Sequence, residues 1–93
     1  MPKTKTNRGI ILIWTNIAWE DYLFWQKNDK KILNKINALI KDIQCSPFQG
    51  IGKPEPLRFD LSGKLSRKIN NEHRLVYAVN DSETIIFQCR YHY

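Results

Sequence analysis

The hydrophobic positions in the first half of the chain predict one strand and two helices. Residues 10–14, IILIW, form a short apolar run rich in β-branched side chains, which is typical of a buried strand. Thr15 can then cap a helix over residues 16–27, in which the early Glu20 and Asp21 suit the positive end of a helix dipole. We expect one face of this helix to consist of Trp19, Tyr22, Leu23 and Gln26.

The second helix has the clearest pattern in the chain. Asn28 and Asp29 interrupt the first helix and can cap the second. Apolar side chains then form one stripe at the helical period, namely Ile32, Leu33, Ile36, Leu39, Ile40 and Ile43. Outside the stripe lie four lysines that indicate a solvated face, namely Lys30, Lys31, Lys35 and Lys41.

The second half of the chain changes to turn and strand chemistry. Residues 46–57, SPFQGIGKPEPL, hold three prolines and two glycines, which excludes a helix. From Leu57 the period becomes two, because Leu57, Phe59 and Leu61 alternate with polar residues. The segments GKLSRKI, EHRLVYAV and TIIFQCRYHY then read as strands separated by turns. This order predicts an α+β fold, in which a two-helix hairpin packs on one face of a mainly antiparallel sheet.

Length and charge limit the possibilities further. Ninety-three residues with 42% hydrophobic side chains suit one domain, which we place at residues 10–93 after a basic, flexible leader at residues 1–9. The apolar run at 10–14 is too short for a signal peptide or a membrane span, so we expect a soluble cytoplasmic protein. The net charge of +6 favours a nucleic acid, an acidic protein or an anionic membrane surface as partner, although a solvated basic surface explains it as well.

The two cysteines indicate neither a disulfide framework nor a metal site. Cys45 and Cys89 are far apart and form no CxxC pair, which fits a reducing compartment. We expect both thiols to be buried for structural reasons. We also expect no cofactor, since the sequence has no set of ligands with metal-binding spacing.

Candidate chemistry lies in the proline loop and the middle strands. Glu55 stands between two prolines, which stiffen its backbone, although a surface glutamate is the simpler interpretation. A hairpin would bring Arg67 or Lys68 close to Arg74, and such a cluster is unfavourable unless an anion lies among the cations. Separate solvated cations remain the alternative.

The chain ends in CRYHY, which predicts a last strand that carries His92 and Tyr93 at its tip. A carboxylate, clustered cations and a histidine are the components of a metal-free ribonuclease. Such an enzyme needs a base for the 2′-hydroxyl of RNA, cations for the phosphate and an acid for the leaving oxygen. An exposed aromatic ring could also stack on a base.

The sequence resembles the YoeB (Txe) family within the RelE-like toxins of toxin–antitoxin pairs. The resemblance rests on PFQGIGKPEPLRFDLSGKLSRKINNEHRLVYAV, on the terminal CRYHY and on matching positions from residue 11 onwards. It implies a RelE-like, microbial ribonuclease-like fold and ribosome-dependent cleavage of mRNA in the A site. It also implies a homodimer, neutralised by a YefM-type antitoxin.

By position, the resemblance implies roles for single residues. Glu55 corresponds to the general base, Arg74 to the phosphate-stabilising arginine, His92 to the general acid and Tyr93 to a terminal catalytic-site tyrosine. The further cationic, RNA-binding positions are Lys53, Arg58, Arg67 and Lys68.

Departures from the family pattern leave that catalytic set intact. An aromatic–Trp pair that is common in the family is replaced by Lys64 and Leu65. Where the best-known members have the opposite choice between lysine and arginine, this chain has Arg58 and Lys68. Residues 1–9 are additional. Lysine and arginine differ at a bidentate phosphate site. Two alternatives stay open: a related toxin that binds a target such as gyrase without cleaving RNA, and a non-toxic RNA-binding accessory protein.

Overall fold

A computed structural model describes residues 11–91 and shows two helices on one face of a five-stranded sheet. The elements are β1 (Ile11–Trp14), α1 (Asn16–Asn28), α2 (Lys30–Cys45), β2 (Glu55–Pro56), β3 (Leu65–Lys68), β4 (Arg74–Val79) and β5 (Glu83–Gln88). The strand order is β1-β5-β4-β3-β2, in which only β1 runs parallel to its neighbour. The α+β fold expected from the sequence is therefore confirmed.

Side-chain caps fix where the two helices begin. The Thr15 hydroxyl accepts from the Ala18 amide at 3.1 Å and donates to the Phe87 carbonyl at 3.0 Å, which ties the start of α1 to the sheet. The Asp29 carboxylate accepts from the amides of Lys31 and Ile32 at the start of α2. Both expected caps are confirmed, since each satisfies amides that the helix leaves without a partner.

The stripe on α2 supplies much of the core. Ile36, Leu39, Ile40 and Ile43 are buried, in one cluster with the sheet residues Leu75, Tyr77 and Ile86. The four lysines outside the stripe are exposed, as predicted.

The face of α1 that carries Trp19, Tyr22, Leu23 and Gln26 is not the side of the helix that is most deeply buried. Its buried residues are Ala18 and Trp25, whereas Trp19 and Leu23 are exposed. Trp19 instead stacks on Tyr22, with ring centroids 5.8 Å apart, in an aromatic group at the margin of the core. The sequence did not show this because large aromatic side chains occupy several sides of the helix.

The alternating segment after Leu57 is not a strand. Leu57 is buried and its amide donates to the Lys64 carbonyl, but residues Phe59–Leu61 form a 3-10 helix. Phe59 has a φ of 57° and a surface exposure of 90%. Because alternation requires extended backbone, a left-handed residue ends the period-two pattern and turns this ring into solvent.

The last strand is shorter than predicted and ends at Gln88. Near that end the pairing of β4 with β5 shifts register between Val76 and Tyr77, and Val76 still pairs with Gln88. Cys89 therefore lies in the core cluster with Ile86, and burial raises the pKa of its thiol to about 12. Cys45 is exposed, so the expected burial is confirmed for Cys89 and wrong for Cys45. Over the described range, no helix is long and apolar enough to cross a membrane.

Candidate active site

Glu55 is held at the sheet edge by short backbone pairing. It lies on β2, opposite Ser66 of β3, and the next residues are anchored by the bond from the Leu57 amide to the Lys64 carbonyl at 2.9 Å. Its side chain is 57% exposed. The stiff segment between two prolines therefore presents a carboxylate to solvent on a fixed backbone.

Arg74 faces this carboxylate from the start of β4. Its Nη1 lies 3.7 Å from Glu55 Oε1, and its side chain is only 22% exposed. Within residues 11–91, its buried Nε has no hydrogen-bond partner, and the same is true of the Ser66 hydroxyl. Unpaired buried polar groups are rare in proteins, so this arginine retains a donor that an anion could use.

Arg67 does not lie on the protein surface. Its side chain is fully buried, and all five of its N–H donors are occupied. Nε donates to the Tyr77 hydroxyl, and Nη1 and Nη2 donate to the Asp42 carboxylate and to the carbonyls of Ser46, Gln49 and Ile51. The prediction that Arg67 contacts RNA is therefore wrong. In the sequence, Arg67 looks like an exposed cation on a strand, because the partners that bury it come from a distant helix and loop.

The Arg67 side chain holds the loop that leads to Glu55. The hydrogen bond from Arg67 to Asp42, at 2.5 Å, lowers the pKa of that carboxyl, which also accepts from the Ile51 amide. Gly52 has a φ of 78°, and a Cβ there would lie 3.0 Å from both Arg67 Cβ and the Lys68 carbonyl oxygen. The loop therefore packs directly on Arg67 and its hydrogen-bond partners, which we call the Arg67 clamp. Glycine is required at this point.

The C-terminal segment returns to Arg74. The Cys89 amide donates to Asp21 Oδ2 at 3.0 Å, and its carbonyl accepts from Trp25 Nε1 at 2.8 Å. The Arg74 amide donates to the Tyr91 carbonyl at 3.0 Å. His92 and Tyr93, the predicted acid and stacking residues, lie outside the described residues.

The remaining predicted cations are exposed around the pair. Lys68 is opposite Arg74 in the pairing of β3 with β4, and Lys53 precedes Glu55 by two residues with a φ of 49°. Arg58 lines a groove of about 340 Å³ that also includes Glu55 and Phe59. The structure thus brings Glu55, Arg74 and the end of the described chain together, with exposed cations nearby.

Sequence reasoning missed the residues that support the site. Asp42 and Tyr77 gave no signal of their own, and Asp21 was noted only for the helix dipole, because each contacts a group more than nine residues away. Among residues 11–91, no group of three His, Cys, Asp or Glu side chains could hold a metal ion.

The fold matches that of a class of small bacterial toxins. A solved YoeB/ParE toxin from Agrobacterium tumefaciens superposes with a TM-score of 0.86 at 49% identity, covering 88% of this chain and 98% of that one. A YoeB dimer from Staphylococcus aureus gives 0.85 at 48% identity, and a YoeB–YefM complex from the same species gives 0.84 at 47%. Each of these two covers 90% of this chain and 98% of the other.

Sequence comparison shows the family. The model described as "YoeB-like toxin of bacterial type II toxin-antitoxin system" matches residues 14–93. Toxin YoeB of Escherichia coli (strain K12) is 60% identical over 82 residues, covering 88% of this chain and 98% of the relative. The chain belongs to the YoeB family of type II toxins, and the resemblance found in the sequence is confirmed.

Proposed function

We propose that this toxin is a ribosome-dependent endoribonuclease that cleaves mRNA in the A site and so inhibits translation. The observation that carries the proposal is the pairing of Glu55 Oε1 with Arg74 Nη1 at 3.7 Å. A carboxylate and a guanidinium this close together support the proposed roles of base and phosphate-binding cation at one nucleotide linkage. The end of the described chain lies beside the same arginine, through the bond from its amide to the Tyr91 carbonyl.

The reaction uses the 2′-hydroxyl of the substrate as nucleophile. Glu55 takes the proton of this hydroxyl, and Arg74 stabilises the negative charge that develops on the phosphate. His92 then protonates the leaving 5′-oxygen, while Tyr93 stacks on or orients a neighbouring nucleotide. The products are a 2′,3′-cyclic phosphate and a 5′-hydroxyl. No metal ion is needed, because the hydroxyl is already tethered beside the phosphorus and only its alignment is required.

The partial burial of Arg74 supports this role. A guanidinium that is 22% exposed acts through a lower dielectric than one in free water, so its charge stabilises a phosphate more strongly. In the free protein this charge is opposite Glu55, and the substrate phosphate competes for it. Lys53, Arg58 and Lys68 remain the proposed RNA-binding cations, since all three are exposed.

We further propose a YefM-type antitoxin and a second copy of the chain as partners. The S. aureus relative has been solved both as a dimer and with YefM, at close to half identity to this chain. The net charge of +6 suits an acidic antitoxin segment that covers the exposed cations. Ribosome and mRNA as targets imply that the toxin acts in the cytoplasm.

Expression in cells tests the activity directly. The protein is induced from a tightly controlled promoter, and new mRNA 5′ ends are mapped relative to the reading frame. Glu55→Gln keeps the size of the side chain but removes the base, so cleavage should fall by about 10²–10⁴-fold. Glu20→Gln, on the exposed surface of α1, is the matched control and should cleave as the wild type does.

Two outcomes would count against the proposal. One is growth arrest without new mRNA ends, which a toxin that binds gyrase without cleaving RNA would produce. The other is a Glu55→Gln protein whose cleavage equals that of the control.

A further inference from the structure

His73, which directly precedes β4, and Arg74, its first residue, hold the peptide groups on both sides of Tyr91. His73 Nδ1 accepts from the Tyr91 amide at 2.7 Å, and the Tyr91 carbonyl accepts from the Arg74 amide at 3.0 Å. The second of these residues carries the guanidinium that faces Glu55. The tail is therefore fixed to the same short segment that carries the phosphate-binding cation.

The His73 imidazole is itself rigidly placed. Its surface exposure is 8%, and its ring packs edge-on against Trp25, with centroids 4.8 Å apart. Its backbone amide donates to the Asn70 side chain at 2.8 Å. Because a backbone amide is always a donor, the Nδ1 that it contacts must be unprotonated. In the neutral imidazole the proton then lies on Nε2, which is 3.7 Å from the exposed Glu72 carboxylate.

Tyr91 needs this support because its backbone is unfavourable. Its φ of 65° lies in the left-handed region, where a side chain with a Cβ crowds the following carbonyl. Such a conformation persists only when surrounding contacts impose it. The anchors at Cys89 hold the chain two residues earlier, and Gln88 Nε2 donates to the Arg90 carbonyl at 3.1 Å. The amide and the carbonyl of Tyr91 itself are bonded to His73 and Arg74.

We propose that His73 is a positioning residue for the ribonuclease reaction. Its unprotonated Nδ1 keeps Tyr91 left-handed and so sets the direction in which the chain leaves residue 91, one residue before the proposed general acid. The effect on catalysis rests on the proposed function, whereas the effect on Tyr91 does not. His73 thus acts through the tail and not by contact with RNA.

Two substitutions separate this role from simple packing. His73→Asn keeps an acceptor close to the position of Nδ1, since Oδ1 is the same number of bonds from the backbone. His73→Leu places an apolar side chain of similar bulk against Trp25 but removes the acceptor. Misplacement of a reacting group by about 1 Å can cost about 100-fold in rate. We expect His73→Leu to lower the single-turnover rate on ribosome-bound mRNA by about 10- to 100-fold, with KM changed less than about twofold.

Amide hydrogen exchange measured by NMR tests the positioning without any activity. In His73→Leu, the Tyr91 amide should exchange at least about tenfold faster, while the Trp25 indole N–H stays protected by its bond to the Cys89 carbonyl. In His73→Asn, most of the protection and most of the rate should be retained. This rescue would not be seen if only the volume of the imidazole mattered.

The outcomes keep the two proposals apart. If the wild type does not cleave RNA, the proposed function fails, and Tyr91 exchange still decides the role of His73. If the wild type cleaves and His73→Leu cleaves equally well, or protects Tyr91 equally well, the inference about His73 is overturned. Should His73→Leu fail to fold, His73→Asn decides alone: a folded protein with an unprotected Tyr91 amide contradicts the inference.

Discussion

Replacing Arg67 by methionine should destabilise the protein more than any change to its surface cations. Methionine keeps much of the buried side-chain volume but removes all five hydrogen bonds, four of which hold Asp42 and the loop carbonyls. Breaking a buried ion pair by removing one partner costs about 3–5 kcal/mol. Because the Asp42 side chain is 31% exposed and water can reach it, we expect the lower end, about 3 kcal/mol.

The change is large enough to measure in two ways. For a domain of this size, 1 kcal/mol corresponds to about 4–8 °C in Tm, so Arg67→Met should melt about 12–24 °C lower. In urea, followed by tryptophan fluorescence, the midpoint should fall by about 1–3 M, given slopes of about 1–3 kcal/mol per molar. Lys68→Met is the matched control on the same strand. It is exposed and should stay within about 0.5 kcal/mol of the wild type.

The acid dependence gives a second measure of the same clamp. The hydrogen bond from Arg67 lowers the pKa of Asp42 below its ordinary value of 3.8. A depressed carboxyl pKa contributes stability that is present above the unfolded-state pKa and is lost as pH falls through the lower folded-state pKa. The difference in unfolding free energy between wild type and Asp42→Asn should therefore be constant near neutral pH and shrink in acid below 3.8.

A loss under 1 kcal/mol for Arg67→Met would refute the reasoning about the clamp.

Three further changes test other parts of the structure. Burial raises the pKa of Asp21, so its ionised form costs stability as pH rises above 3.8. Asp21→Asn keeps an acceptor for the Cys89 amide, and its unfolding free energy at pH 7 should equal or exceed that of the wild type. A loss above about 1 kcal/mol would contradict this. Iodoacetamide should modify the exposed Cys45 in the folded protein and the buried Cys89 only after unfolding, which mass spectrometry would measure. Rapid labelling of both cysteines in the folded protein would contradict this. Phe59→Asn should raise the free energy of unfolding by up to about 1 kcal/mol in a urea titration. Asparagine tolerates the left-handed backbone better, and the exposed phenylalanine ring loses little packing when it is removed. A clear loss of stability would show that the ring packs in solution.

The helices and their caps were predictable because their signals are local. The stripe on α2 and the caps Thr15 and Asp29 depend on residues within one or two turns of each other. The strands from Leu65 onwards also followed from alternation and turn residues. The segment after Leu57 did not, because the left-handed Phe59 is set by the surrounding loop and not by its own preference.

The site was predictable in its Glu55–Arg74 pair but not in the residues that support it. The Glu55–Arg74 pair could be expected from the family resemblance, and the structure brings these two side chains together. Arg67 looked like one more cation, because nothing near it in the sequence indicates Asp42 as its partner. His73 gave no signal beyond being a histidine in a predicted strand, since its role depends on Tyr91, which is 18 residues further along.

The most direct test of the central claim uses one modified substrate. An mRNA with a single 2′-deoxy nucleotide at the scissile position is loaded in the ribosomal A site, next to an unmodified mRNA as control. If the substrate's own hydroxyl is the nucleophile, the unmodified mRNA should yield a 2′,3′-cyclic phosphate and the deoxy mRNA should stay intact while the toxin still binds. Cleavage of the deoxy mRNA at the control rate would contradict the account.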